Sequence, residues 1–338
     1  MKRKSVKILL VLGCILMPIL AILISLMIGR YPVTLKDIVL SIAESLHLVE
    51  NQVPAEAYTV VIHLRIPRSI AAAFVGAGLA ASGVAYQGVF RNPLVNSGLL
   101  GVSNGAAFGA ALAIVLFNGY ISTNIFAFLF GMAAVGLSYW IARIYKTVPT
   151  IMLILGGTIV SSIFSALLTI LKSVADTENE LPAIIFWTMG SVASTAYEDF
   201  WALIPIVIGI ILLLFYSYQI NVISMGEKQA QTMGIHVKSS KKIIIIAATL
   251  STAGAVCLSG VVGWVGLVIP HIGRMIIGND NRKLIPVSLS IGAVFMILID
   301  TISRSVSTSE IPLGVLTALV GAPFFIFLLK KTKGGGWR

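Results

Sequence analysis

Charge is what this sequence lacks most. Only 11% of its 338 residues are Asp, Glu, Lys or Arg, and 57% are hydrophobic. A soluble domain carries about 25% charge. A single soluble core also stops growing below this size and needs a charged surface to stay dissolved. Most of this chain's surface therefore has lipid as its solvent. Cysteine is scarce too. Cys14 and Cys257 both lie inside apolar runs, which argues against a disulfide framework. The four histidines, at 47, 63, 236 and 271, show no metal-ligand spacing, so neither metal nor cofactor is expected. No Gly-rich loop ends in Lys-Ser or Lys-Thr, and Gly76-Ala77-Gly78 sits in an apolar run with no strand before it. The chain itself therefore binds no ATP by such a loop. No nucleophile–base–acid set can be assembled. Asp300 is the main charge inside an apolar run. That scarcity argues against proton coupling and for an external energy source. Asp300 and Arg304, one helical turn apart, are expected to pair.

What is present is a series of apolar runs. They lie at about 8–28, 69–89, 99–117, 124–142, 151–171, 200–217, 243–262, 264–277, 285–303 and 313–329. Most approach the ~20 residues that a helix needs to cross a bilayer. The run at 264–277 is short and follows its predecessor after only Gly263. The N-terminus, with Lys2, Arg3, Lys4 and Lys7 ahead of an apolar stretch, resembles a secretory signal. The stretch continues past Cys14 to Ile28, which suits a span instead. Many runs are rich in Gly, Ala and Ser, as membrane helices that pack closely require. A faint echo links Ala81-Ser82-Gly83-Val84 to Leu258-Ser259-Gly260-Val261, which would suit a two-fold repeat.

Orientation follows from the basic residues. With the N-terminus inside and ten alternating spans, 18 of the 24 Lys and Arg fall on the inner side. The other 6 are Arg30, Lys36, Arg65, Arg68, Lys172 and Arg304. This is the asymmetry of the positive-inside rule, and it puts both termini in the cytoplasm. The net charge of +11 therefore reads as topology, not as a nucleic-acid surface. The expected architecture is one all-α transmembrane domain, 1–338. It has external loops at 30–66 and 172–199 and a cytoplasmic segment at 218–242. A short amphipathic helix is expected near 35–48.

Six segments, in order from about residue 60 to 330, resemble the FecCD-type iron-chelate permeases, a family that includes the cobalamin permease. They are Arg65-Ile66-Pro67-Arg68; Gln87 to Asn92-Pro93-Leu94 and on to Ala106; Phe186 to Ser191; Gly226 to Gly234; Gly263-Trp264 to Pro270-His271 and Arg274; and Glu310-Ile311-Pro312 to Phe325. The resemblance implies an ABC type II importer permease, a transport subunit and not an enzyme. Its implied partners are a second copy or sister permease, two ATP-binding subunits inside and a substrate-binding protein outside. A ferric siderophore is the expected substrate, with haem, cobalamin or molybdate as alternatives. An ATP-independent secondary transporter is the less favoured reading.

The resemblance also assigns roles. Gly226 and Gly234 bracket a coupling helix carrying Glu227, Lys228 and Gln231. Arg65, Arg68 and Arg304 match arginines presented to carboxylates of the binding protein, where a guanidinium fork suits bidentate pairing. Asn92, Pro93 and Leu94 match a cytoplasmic gate, whose other half is expected near Thr147–Thr150. Gly156, Gly157, Thr158, Ser161 and Ser162 match a path-lining span, although helix packing explains them nearly as well. His271 is expected to pack or hydrogen-bond at the inner side, without binding metal.

Overall fold

The computed structural model describes residues 2–49, 52–117, 120–143, 149–307 and 309–331. Regular structure among them is helical throughout. In chain order the helices are α1 (Lys2–Met27), α2 (Leu35–Ser45), α3 (Ala55–Tyr58), α4 (Ile66–Phe90), α5 (Val102–Phe117), α6 (Tyr120–Ala142), α7 (Thr150–Val174), α8 (Glu180–Met189), α9 (Leu203–Phe215), α10 (Ser217–Met225), α11 (Glu227–Thr232), α12 (Val237–Ser259), α13 (Val265–Ile277), α14 (Asn281–Val306) and α15 (Leu313–Lys331). A π-helical segment, Thr59–Arg65, joins α3 to α4, and a 3-10 turn, Tyr197–Ala202, leads into α9. Each expected apolar run contains a helix. Among the described residues six rods are long and apolar enough to cross a bilayer: Ala55–Phe90, Thr123–Ala142, Thr150–Val174, Tyr197–Phe215, Val237–Ser259 and Asn281–Val306. Shorter apolar helices occupy the remaining runs.

Small residues explain how the bundle closes. Helix α4 is the hub, buried along most of its length. A Cβ on Gly76 would overlap the carbonyl oxygen of Gly292 on α14, and one on Gly83 would overlap that of Gly266 on α13. Without a solvent-driven hydrophobic effect in lipid, contacts at this range supply dispersion that larger side chains would forfeit. The external helix α2 forms where expected. Thr34 caps it, accepting from the Asp37 N–H at 3.2 Å while Asp37 Oδ2 accepts from the Thr34 N–H at 2.9 Å. Its Ile38 packs with Leu26, Val33, Val61 and Ile62.

The short run behaves differently from a span. Helix α12 stops at Ser259, not at 262, and 260–264 are non-helical. The chain turns through Gly260 (φ +64°) and Trp264 (φ +67°). Gly321 on α15 leaves room for that indole, since a Cβ there would come within 2.7 Å of Trp264 Cβ. Helix α13 then begins beside Leu79 and Gly83, deep in the bundle. Its 13 residues rise only ~20 Å, against the ~30 Å of hydrocarbon. Within the echo between 81–84 and 258–261 the backbone differs locally, since Gly83 is helical and Gly260 ends a helix.

Helix directions define two ends. Ser25 Oγ at the end of α1 meets Thr301 Oγ1 near the end of α14 at 2.8 Å and Ser69 Oγ near the start of α4 at 3.3 Å. Ile311, just ahead of α15, donates its N–H to Ser303 O in the last turn of α14 at 3.4 Å. Helix α15 therefore leaves from the end at which α1 arrives. This end, with Arg65, Arg68 and Arg304, corresponds to the outside of the charge analysis. The opposite end gathers Arg91, Glu227, Lys241 and Arg282.

Candidate functional site

At the outer end, Arg68 lies in the first turn of α4 and reaches two partners. Its Nε donates to Asp300 Oδ1 at 2.7 Å, and its Nη1 and Nη2 donate to Glu310 at 2.7 and 2.8 Å. Asp300 is completely buried. The pair expected from spacing, Asp300 with Arg304, is present but looser, at 3.8 Å. Arg304 instead gives Nη2 to Ser25 Oγ at 2.7 Å. Arg65 gives its two Nη groups to the carbonyls of Leu26 and Tyr31, both at 2.6 Å. All three arginines are buried and internally engaged. They rim a cavity of about 290 Å³ shared with Arg30 and Glu310. Burial forces this arrangement, because an unpaired cation in low dielectric is costly.

At the inner end, α11 is a short exposed helix held between two glycines with positive φ, Gly226 (+139°) and Gly234 (+78°). Glu227, Lys228 and Gln231 are exposed on it, and Met225 and Met233 stand 67% and 52% exposed beside it. Glu227 Oε1 accepts from Lys241 Nζ on α12 at 2.6 Å. The same Nζ donates to Thr150 Oγ1, at the start of α7, at 3.1 Å. The loop after α4 turns through Arg91 in the left-handed region (φ +51°), and Asn92 Oδ1 accepts from the Leu94 N–H at 2.9 Å. Pro93 lies in this turn and Leu94 is 53% exposed. Arg91 borders the short helix: a Cβ on Gly226 would stand 3.5 Å from its Nη1. Asp280 caps α14 and accepts from Asn221 Nδ2 at 2.8 Å and from the Arg282 N–H at 3.1 Å. Partial burial opposes its charge. These hydrogen bonds, with Lys283 and Arg282 nearby, prevail and hold its carboxyl below the usual range. Of the expected second gate half, Thr150 is placed as described, while 147 and 148 lie outside the described residues.

Helix α7 carries two faces. Gly156 and Gly157 are buried: a Cβ on Gly156 would come 2.8 Å from Ser138 O, and one on Gly157 would overlap Leu99 O. Gly156 therefore lies against α6, and Gly157 against the 95–101 loop. Ser161 is half-buried, and its carbonyl accepts from Asn104 Nδ2 at 3.2 Å. Thr158 and Ser162 are exposed, with hydroxyls returned to Ile154 O and Thr158 O at 3.0 Å each. Around them Leu155, Ile159 and Ile163 are also exposed. This face is apolar, and its hydroxyls are already bonded within the helix.

His271 is buried on α13. Among the described residues no group of His, Cys, Asp and Glu is arranged to hold a metal ion. Cys257 is buried, with its thiol donating to Asn124 O at 3.1 Å. Sequence reasoning missed Lys241 and Glu310 as organising residues. Lys241 stood only as one inner charge among many, and nothing in the spacing ties it to Glu227 or Thr150. Glu310 lay inside a quoted motif, but its partner Arg68 is 242 residues away.

Comparison with known proteins follows the same geometry. The FecCD transport family matches residues 16–331. The molybdate import system permease protein MolB of Haemophilus influenzae is 39% identical, over 96% of each chain. The cobalamin import system permease protein BtuC of Halobacterium salinarum is 39% identical over 82% of this chain and 75% of its own. A Helicobacter pylori protein named for iron chelatin transport is 34% identical over 85% and 87%. A solved chain assigned to the metal-chelate type of ABC transporter, in an inward-facing conformation, superposes with a TM-score of 0.83 at 37% identity, over 95% of this chain and 98% of its own.

Proposed function

The chain belongs to the FecCD transport family, and from that premise we propose that it carries a metal chelate, a ferric siderophore first, into a bacterial cell across the cytoplasmic membrane. It is a multi-pass permease subunit of an ABC importer and not itself the ATPase. Two copies, or this chain and a sister permease, would form the path between exposed faces of the kind that α7 presents. ATP-binding subunits would dock on the segment around α11. An external binding protein would dock at the arginine end.

The observation that carries this reading is the separation of two unlike surfaces. The inner one is a short, glycine-hinged helix with exposed methionines, which adapt readily to a partner surface. The outer one is a buried arginine–carboxylate cluster, with Glu310 at its rim and 30% of its side chain exposed. Docking through Arg65, Arg68 and Arg304 would then work by exchange, with a partner's carboxylate taking the place of Glu310 on Arg68. The inner loop with Asn92, Pro93 and Leu94 would serve as the gate, with Thr150 on its other half.

Two measurements test this. An ATP-binding subunit is expected to co-purify with the chain and to be lost when 225–236 are deleted. Uptake by the complete system is expected for a ferric siderophore under iron limitation, with haem and cobalamin as controls. A second reading, molybdate, is favoured by the MolB likeness, which extends over 96% of both chains. Labelled molybdate in the same assay separates the two. Uptake of none of these solutes would reject both.

A further inference from the structure

Lys241 is an odd residue to bury. It stands in the second turn of α12, a helix packed along α4 and α9, and only 8% of its side chain is exposed. Burying an ammonium group is unfavourable unless its donors are satisfied. Two of them are, and by elements that otherwise end separately. Glu227, the first residue of α11, takes one at 2.6 Å, and Thr150, the first residue of α7, takes another at 3.1 Å. A lysine suits this, since its compact head points three donors in different directions from one atom.

The geometry assigns Lys241 as the positioning residue that passes movement of α11 to α7. This rests on reading α11 as the ATPase docking element. Gly226 precedes Glu227 with φ +139°, a conformation that favours glycine, so α11 turns about a point directly beside Glu227. On the other side, Pro149 caps α7 without a side-chain hydrogen bond, so Thr150 Oγ1 gives that helix end a lateral attachment. Helix α7 has 25 residues and is a rod of ~37 Å. A displacement at Thr150 is therefore carried along the face that bears Thr158 and Ser162. Glu227 is 47% exposed, so a docked subunit reaches one arm of the link while Lys241 keeps the other dry. Lys241 Nζ bonds to both ends of the link.

The test compares Lys241→Met, which keeps length and removes charge and donors, with Lys241→Arg, which keeps both. Both are prepared in the full complex with its ATPase and binding protein. Lys241→Met is expected to keep the ATPase bound and hydrolysing. Solute taken up per ATP is expected to fall about tenfold or more, the range of a coupling free energy of this kind. Lys241→Arg is expected to recover most of it, and Thr150→Val to show a smaller loss. Unchanged uptake per ATP in Lys241→Met would overturn the proposal. So would loss of ATPase binding, because Lys241 would then belong to the dock itself. A second readout needs no transport. Spin labels at Gln231 on α11 and Ile151 on α7, in a background without Cys14 and Cys257, are expected to give a narrow distance distribution that broadens in Lys241→Met. An unchanged distribution would overturn the link even if the wild-type complex imports nothing. Failed wild-type import would count against the importer reading instead.

Discussion

Arg68 Nε stands 2.7 Å from Asp300 Oδ1, 232 residues away in the chain. The contact ties the start of α4 to the last turns of α14, and Glu310 extends it to the segment before α15. A buried pair of this kind is weak evidence of net stabilisation, but breaking it by removing one partner leaves an uncompensated charge. Asp300 is the anion on which Arg68 and Arg304 converge.

Asp300→Ala is accordingly expected to destabilise the protein by about 3–5 kcal/mol. The double change Arg68→Met with Asp300→Leu is expected to cost less than the sum of the two single changes, with an interaction energy above about 0.5 kcal/mol. Thermal unfolding of detergent-purified protein measures both, and strictly additive shifts would contradict the pairing.

The glycine contacts on α4 predict a sharp positional contrast. Gly76→Ala and Gly83→Ala each push a methyl group into backbone of a neighbouring helix, at Gly292 and Gly266. Each is expected to cost about 1–3 kcal/mol or more through overpacking. Gly136→Ala, with nothing within 4 Å of its Cβ, is expected to be tolerated. Yield of monodisperse protein after solubilisation ranks the three.

Helix α7 predicts a division of labour within six residues. Thr158→Trp or Ser162→Trp alters an exposed face and is expected to leave folding intact while blocking uptake. Gly157→Ala overlaps Leu99 O and is expected to impair folding first. Chromatographic yield read beside uptake distinguishes the two patterns, and normal uptake in both tryptophan variants would remove this face from the path.

Asp280 predicts a pH dependence. Its folded pKa lies below the ordinary value, so its stabilisation is present above about pH 3.9, the unfolded reference, and is lost as pH falls through the folded value. Asp280→Ala also removes the cap of α14 and is expected to cost about 1 kcal/mol at neutral pH. The difference from wild type is expected to shrink below about pH 4 in unfolding experiments. A difference that grew on acidification would contradict the assignment.

The spans were legible because hydropathy is a property of consecutive residues, and the helix α11 was legible because Gly226 and Gly234 punctuate it. The α12–α13 junction was not. Both sides of it are apolar, and only depth against Leu79 and Gly83 shows that α13 starts inside the bundle. The surroundings of the three arginines were not legible. Sequence shows a cation on an outer loop, and only the fold brings Asp300, Glu310 and Ser25 to meet it. Lys241 was hidden for the same reason, since both of its partners are remote or unmarked in sequence.

The most direct test of the account places the chain, with its ATPase and binding protein, in proteoliposomes and follows a labelled ferric siderophore. The account predicts accumulation only when ATP is supplied on the side that bears α11 and the binding protein on the side that bears Arg68. Accumulation by the chain alone, without ATP, would contradict it.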